Sequence, residues 1–362
     1  MSVNDVAISG APQYRWSCIS LFEGGGTASR QSDDPEDFAD MAKTAILSWV
    51  DFRTSDLEQD LASAGKLWFS ESLISALALS PRNLYEDLNT EMGIKLPSIQ
   101  MGAAGDIEVE ASFTYVLLKN NLVLSVHRPQ VERRYASLRK YADTILKKIQ
   151  ATPGWEDRLT LLLMRLIETN NDRNFDHLRQ IEESSDALNK NMMDPNTPRK
   201  VLGGQIYTMK HAVIVYLDAL WETVDVIREL HFGDAELISD SPQLLENMSM
   251  LAEEVNRHIS LTENMSDMLS SGLNVMQSIY NNQLQTWNNR LTTAVAYLTI
   301  LGTAALVPNT LATILGNTAF NMNSGDIGWY LGLLVGSTAL AVIGTLWWVR
   351  SVGLIPKKTE NA

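Results

Sequence analysis

The chain has 362 residues and a formal net charge of −14, with 45% hydrophobic and 20% charged residues. That acidity excludes a general binder of nucleic-acid phosphates, so no nucleic-acid partner is expected. The single cysteine, Cys18, excludes an internal disulfide framework and a cysteine-based zinc site, and it fits a reducing cytosol best.

The opening MSVNDVAISG carries no signal-peptide pattern. Residues 15–22 and 46–52 read as strands. Between them lie Gly24, Gly25 and Gly26, which read as a turn, since no Gly-Lys-Ser/Thr follows as a phosphate loop requires. Ser55 with Glu58 is a capping-box pattern that opens a helix. Residues 70–79 and 84–92 read as further helices. Residues 107–118 and Leu122–His127 alternate about Lys119, Asn120 and Asn121, the pattern of a hairpin. Residues 1–130 are therefore expected to form an α/β domain.

After Pro129 the strand signals stop. Residues 131–150, 155–189, Arg199–Phe232 and 242–290 are helical by period and length. Breaks fall at Thr152, Pro153 and Gly154, at Asp194, Pro195, Asn196 and Pro198, and from Gly233 to Pro242. Residues 131–241 make a helical region and 242–290 a stalk helix. The stalk's core stripe is Leu251, Val255, Ile259, Thr262 and Met265, extended by Met276, Ile279 and Leu284. One helix from about residue 242 to about 315 would be roughly 110 Å long at 1.5 Å per residue.

Charge then disappears. Between Arg290 and Arg350 the only charged residue is Asp326. Residues 1–290 carry 26 basic and 41 acidic side chains, and residues 291–362 carry three and two. Residues 291–315 and 327–349 are each long and apolar enough to cross roughly 30 Å of hydrocarbon. The loop 316–326 has no Lys or Arg, whereas the tail 350–362 carries Arg350, Lys357 and Lys358. The positive-inside rule places that tail in the cytoplasm, and two crossings place residues 1–290 there too. Trp329, Tyr330, Trp347 and Trp348 sit near the ends of the second span, as interfacial aromatics do. The expected fold is an α+β membrane protein: an N-terminal α/β cytoplasmic domain, a long helical stalk and two C-terminal transmembrane helices, seated among the lipids of the cell (inner) membrane.

One face of the first span runs Asn288, Thr292, Val295, Thr299, Thr303, Leu306, Thr310, Thr313, Asn317. Seven of these nine positions carry a hydroxyl or an amide, and the steps average near 3.6. Threonines in spans also serve helix packing, because each can bond its own helix. Read instead as a wetted pore face, the stripe needs several copies of the chain, since one helix encloses nothing. Neutral oxygens suit a cation that keeps its hydration shell, and Mg²⁺ dehydrates reluctantly.

No hydrolase or transferase constellation is present, so neither an enzyme nor a covalent cofactor is expected. His127, His177, His211, His231 and His258 show no His-x₃-His spacing and no flanking glutamate, and they read as structural or surface groups. Cys18 reads as core. Glu182 with Glu183 and Glu253 with Glu254 read as solvated helix faces. If subunits pack around an axis, Glu253 and Glu254 on the stalk become candidates for a regulatory divalent cation.

Trp49, Val50 and Asp51, the run LVLSVH at Leu122–His127, and Val307, Pro308, Asn309 and Thr310 resemble stretches of the CorA superfamily of divalent-cation channels. The order of parts is similar as well. The resemblance implies a homopentamer with both termini in the cytoplasm and five first spans around the axis. It implies passive, gated entry of Mg²⁺, with Co²⁺, Ni²⁺ or, in the ZntB branch, Zn²⁺ as other cargoes. Intracellular Mg²⁺ at subunit interfaces would hold such a channel closed. The family usually carries Gly-Met-Asn at the outer end of the first span, where the asparagine ring meets the hydrated ion. Here the stretch is Gly316, Asn317 and Thr318, and these become the selectivity-filter candidates. Because Gly-Met-Asn is absent, the alternatives are a divergent channel for another ion and a non-conducting scaffold or cation sensor.

Overall fold

The computed structural model describes residues 14–80, 83–101, 109–193, 198–233, 235–316 and 325–351. In chain order it contains β1 (Trp16–Leu21), β2 (Thr27–Ser32), α1 (Ala39–Thr44), β3 (Leu47–Arg53), α2 (Leu57–Leu61), α3 (Glu71–Leu79) and β4 (Tyr85–Asp87). Then follow β5 (Met92–Met101), β6 (Val109–Lys119), β7 (Leu122–His127), α4 (Glu132–Gln150), α5 (Trp155–Met193), α6 (Arg199–Phe232), α7 (Pro242–Leu315) and α8 (Ile327–Ser351). By contacts the chain divides into two units, Met1–Leu273 and Asn274–Ala362.

In the first unit the seven strands form one sheet in the order β2-β1-β3-β7-β6-β5-β4. Every neighbouring pair is antiparallel except β3 and β7, which run parallel. The period of two sends alternate side chains to opposite faces. Trp16, Cys18, Val50, Phe52, Leu122, Leu124 and Val126 join a core with Phe38, Leu61, Leu73 and Leu77 from α1 to α3 and their flanks. The alternate residues of the central strands, Trp49, Asp51, Ser125 and His127 among them, are buried too. Two-sided burial explains why β3 and β7 read as nearly unbroken apolar runs.

The triple glycine is a turn. Gly24 and Gly25 have φ of +89° and +85°, and Phe22 N–H bonds Gly26 O at 2.9 Å, which closes the β1–β2 hairpin. Strand β2 itself (TASRQS) has no apolar alternation and was invisible in the sequence.

Residues 84–92 do not form the helix read from their pattern. They hold the edge strand β4, a turn with Asn89 at φ 64°, and the first residue of β5. Lys95 N–H bonds Leu84 O at 2.8 Å, so sheet pairing outweighs local periodicity here. Strand β5 also escaped the sequence reading, because Pro97 argues against an inner strand. The structure resolves this: β4 pairs only as far as Ile94, so β5 is an edge from there on. Its exposed backbone is taken by α5. Asn170 and Asn174 donate through Nδ2 to Pro97 O at 2.7 and 3.1 Å, and Asn174 Oδ1 accepts from Ile99 N–H at 3.0 Å. Arg134 of α4 donates to Ile99 O and binds Asn170 Oδ1 and Asn174 Oδ1, each at 2.7 Å. Two helices thus satisfy an edge that a strand would otherwise pair.

Helix α7 runs unbroken over 74 residues with Pro308 inside it, and α8 has 25. Leu251, Val255, Ile259, Thr262 and Met265 are all buried, as their stripe predicts. Burial continues to Leu269, while of the residues expected to extend the stripe Met276 and Ile279 are half-buried and Leu284 is exposed in the single chain.

Candidate functional site

Among the described residues, α7 and α8 are the two helices long and apolar enough to cross a membrane, and no part of either apolar window is buried. In α7 Asn288, Thr292, Thr299, Thr310 and Thr313 are exposed and Thr303 is half-buried. Every one of these threonines bonds its own helix. Thr292, Thr299 and Thr303 donate to the carbonyls of Asn288, Val295 and Thr299 at 2.9 Å, Thr310 to Leu306 O at 2.8 Å and Thr313 to Asn309 O at 2.7 Å. A hydroxyl has one proton, and here it is spent inside the helix. What remains outward is an oxygen that only accepts. A line of such oxygens attracts a hydrated cation and offers an anion nothing. Gly316 N–H bonds Ala312 O at 2.9 Å and ends the described part. Asn317 and Thr318 lie outside the described residues.

The line also continues where the sequence reading stopped. Counting back from Asn288 in steps of three and four gives Gln285, Asn281, Ser278 and Asn274, all exposed. From Met268 to Asn289 no residue is charged. The sequence reading placed this stretch in the stalk helix and followed its apolar stripe, which is why the polar line was missed. Arg290 lies about 200° around the helix from Asn288, so it faces away from the line.

Glu253 is exposed, while Glu254 lines a groove of about 590 Å³ with Lys148, Arg165, Glu168 and Arg257. Asp172 is raised above the usual carboxylate range by partial burial and then by the charges of Glu168 and Glu254. Among the described residues no three or more His, Cys, Asp or Glu side chains converge to hold a metal ion.

The sequence did not predict the buried polar cluster around Asp51. In the β3–β7 register Asp51 sits beside Ser125, and His127 is two residues further on the same face. Helix α4 presents Glu132, Tyr135 and Arg139 at i, i+3 and i+7. Trp49 Nε1 donates to Ser125 Oγ at 3.0 Å, and Ser125 donates to Asp51 Oδ1 at 2.5 Å. Arg139 donates to both Asp51 and Glu132. His127 stacks on Tyr135 with ring centroids 4.3 Å apart. Burial alone would raise the Asp51 carboxyl, but His127, Arg139 and the Ser125 hydroxyl together hold it below the usual range. Residues 76 positions apart supply this site, so no local spacing announces it. Cys18 is core as expected, and burial pushes its thiol up to about 11.

The comparisons with known proteins agree with this architecture. Similar solved structures include the complete CorA magnesium transporter from Methanocaldococcus jannaschii, at 16% identity and TM-score 0.67 over 95% of this chain and 100% of that one. The full-length CmaX protein matches at 16% identity and TM-score 0.54 over 95% and 99% of the two chains. The ZntB cytoplasmic domain from Vibrio parahaemolyticus matches at 15% identity and TM-score 0.53 over 74% and 98%. At such identities these likenesses speak for the fold. The curated proteins include no significant match. The family model described as CorA-like Mg²⁺ transporter protein matches residues 44–351, most of the sheet and both candidate spans, and the chain belongs to that family.

Proposed function

We propose that the chain is a homo-oligomeric, CorA-like transporter of divalent metal cations in a cell membrane, a homopentamer whose first spans ring the ion path. The path runs along Asn317, Thr313, Thr310, Thr303, Thr299, Thr292 and Asn288 and continues through Gln285, Asn281, Ser278 and Asn274. The observation that carries this reading is the donor-spent threonine line, a face of neutral acceptors without a fixed charge. It suits an ion that stays hydrated, and Mg²⁺ is the cargo proposed, with Co²⁺, Ni²⁺ or Zn²⁺ as competitors. Gly316, Asn317 and Thr318 are the filter. A regulatory cation at Glu253 and Glu254 needs ligands from a second copy, since one chain brings no such group together among the described residues. Both termini lie in the cytoplasm, and the faces turned from the path meet lipid.

The test is flux into liposomes. Wild type should pass Mg²⁺, and Thr299→Val with Thr303→Val should lower flux by about tenfold, because valine keeps the shape and removes the acceptors. No flux of Mg²⁺, Co²⁺, Ni²⁺ or Zn²⁺ under any gradient sinks the proposal. Flux indifferent to both substitutions sinks only the lining. Gly316, Asn317 and Thr318 in place of Gly-Met-Asn favour a second reading, a channel for another ion, which ion-substitution conductance separates from the first.

A further inference from the structure

Helix α4 carries hydroxyls of the opposite kind from those of α7. Among the described residues Ser137 and Thr144 make no hydrogen bond through their hydroxyls, so both protons remain free to donate outward. Both face a groove of about 640 Å³ between α4 and α5, a volume within the range of small-molecule sites. Arg134, Ser137, Tyr141, Thr144 and Lys148 follow one another along this wall at steps of three and four, so they share one face of α4. Helix α5 brings Arg165 and Arg173 to the other wall, with Asp172 and Asp176. Residues 1–290 carry 26 bases against 41 acids, yet here four cations meet two carboxylates.

Two of the four cations lack a counter-charge. Arg134 is 4% exposed, and every acceptor it meets is neutral: Asn170 O and Oδ1, Asn174 Oδ1 and Ile99 O. Burial, with the Arg173 cation adding to it, lowers its pKa to about 10. A buried charge without a partner is costly, and an anion in the groove would relieve it. The Lys148 ammonium is exposed and enters no ion pair among the described residues. Arg165 pairs only with Glu168, three residues on, at 2.5 Å, and both side chains are about half exposed. An exposed pair of that kind is weak enough for a phosphate to displace. The two carboxylates stand at the Arg134 end, each two positions from Asn174, and Asp176 is engaged by Arg173 at 3.3 Å. The Lys148 end is therefore the better anion seat.

We propose that this groove binds a nucleoside polyphosphate, with the base on Tyr141 and the phosphates running toward Thr144, Lys148 and Arg165. Tyr141 is exposed and offers a ring face on which any base can stack. Lys148 lies seven residues further along α4, about 10 Å away at 1.5 Å per residue, the reach from a base to the far phosphates of a nucleotide. Lys148 and the Arg165 fork then hold the phosphate oxygens, and the free Thr144 hydroxyl donates to them. Arg134 adds its unmatched charge from the floor of the groove.

The experiment is titration calorimetry of ATP into the full chain in lipid nanodiscs, with EDTA present so that no divalent cation takes part. ATP should bind. Lys148→Gln and Tyr141→Ala should each weaken it about tenfold, by loss of a charged hydrogen bond and of a stacked base. Asp172→Asn, which removes a like charge from the wall, should tighten it about threefold. Lys147→Gln should change nothing, because Lys147 pairs with Asp143 outside the groove. Inorganic tripolyphosphate should bind about tenfold more weakly than ATP. Absence of ATP binding overturns the proposal. So does a Lys147→Gln loss as large as that of Lys148→Gln, or tripolyphosphate binding as tight as that of ATP. All four substitutions lie on exposed positions, so folding is not at stake. Binding is read without ion flux, so its failure is distinguishable from failure of the transport reading.

Discussion

Asp51 sits 2% exposed in the middle of the sheet, forms an ion pair with Arg139 and lies 3.2 Å from His127 Nε2. Removing one partner of a buried pair leaves the others uncompensated, so Asp51→Asn should cost about 3–5 kcal/mol in denaturant unfolding. Its depressed carboxyl also sets a pH dependence. A folded-state value below the unfolded one contributes stability that is present above about pH 3.9 and is lost as pH falls from there through the folded value. Acid unfolding of wild type should therefore steepen below about pH 4, and Asp51→Asn should flatten that limb. Asp172 works in the opposite direction. Its carboxyl is raised by partial burial and by Glu168 and Glu254, so stability is lost as pH rises through its folded value. Asp172→Asn should raise the melting temperature at neutral pH and leave it unchanged well below the carboxylate range.

At the scale of elements, close packing decides what the strands tolerate. A Cβ on Gly93 of β5 would stand 2.3 Å from Leu77 Cδ1 and 2.8 Å from Leu117 Cδ2. Both neighbours are wholly buried, so neither side chain has free space to move into. Gly93→Ala should then destabilise by about 1–3 kcal/mol in equilibrium unfolding, with α3 shifted off the sheet. Strand β5 is also the element whose sequence misled most. Pro97 speaks against a strand; β5 is one because it pairs with β6 along its whole length, and its open edge is satisfied by Asn170, Asn174 and Arg134, more than 30 residues downstream. The long helices were legible because their period persists for many turns. Helix α6 has the bounds its pattern predicts, and α7 runs through the junction at residue 290 as one helix.

For the molecule as a whole, acidity and apolarity belong to different parts of the chain, and the single cysteine makes one of them easy to probe. Cys18 is buried and its thiol is pushed up to about 11, so it stays unreactive at neutral pH. New cysteines can then report on water along α7. In the assembled protein, Asn281→Cys and Thr299→Cys should react about tenfold faster with a water-soluble thiol reagent than Tyr297→Cys or Leu301→Cys, which point away from the polar line. Equal rates at all four positions would remove the polar line as a water path.

Sequence by itself determined the long helices, the two candidate spans and the polar face of the first, because each rests on a period or a composition that holds within one element. It also carried the family resemblance, through stretches on β3, β7 and α7. Only the tertiary structure decided the seven-stranded order, the edge strand β5 and the cluster of Asp51, His127, Glu132 and Arg139. Those depend on register between strands and on helix faces meeting them from far along the chain. A parallel pairing of β3 with β7 is what sets Asp51 beside Ser125 and His127, and no local spacing encodes it.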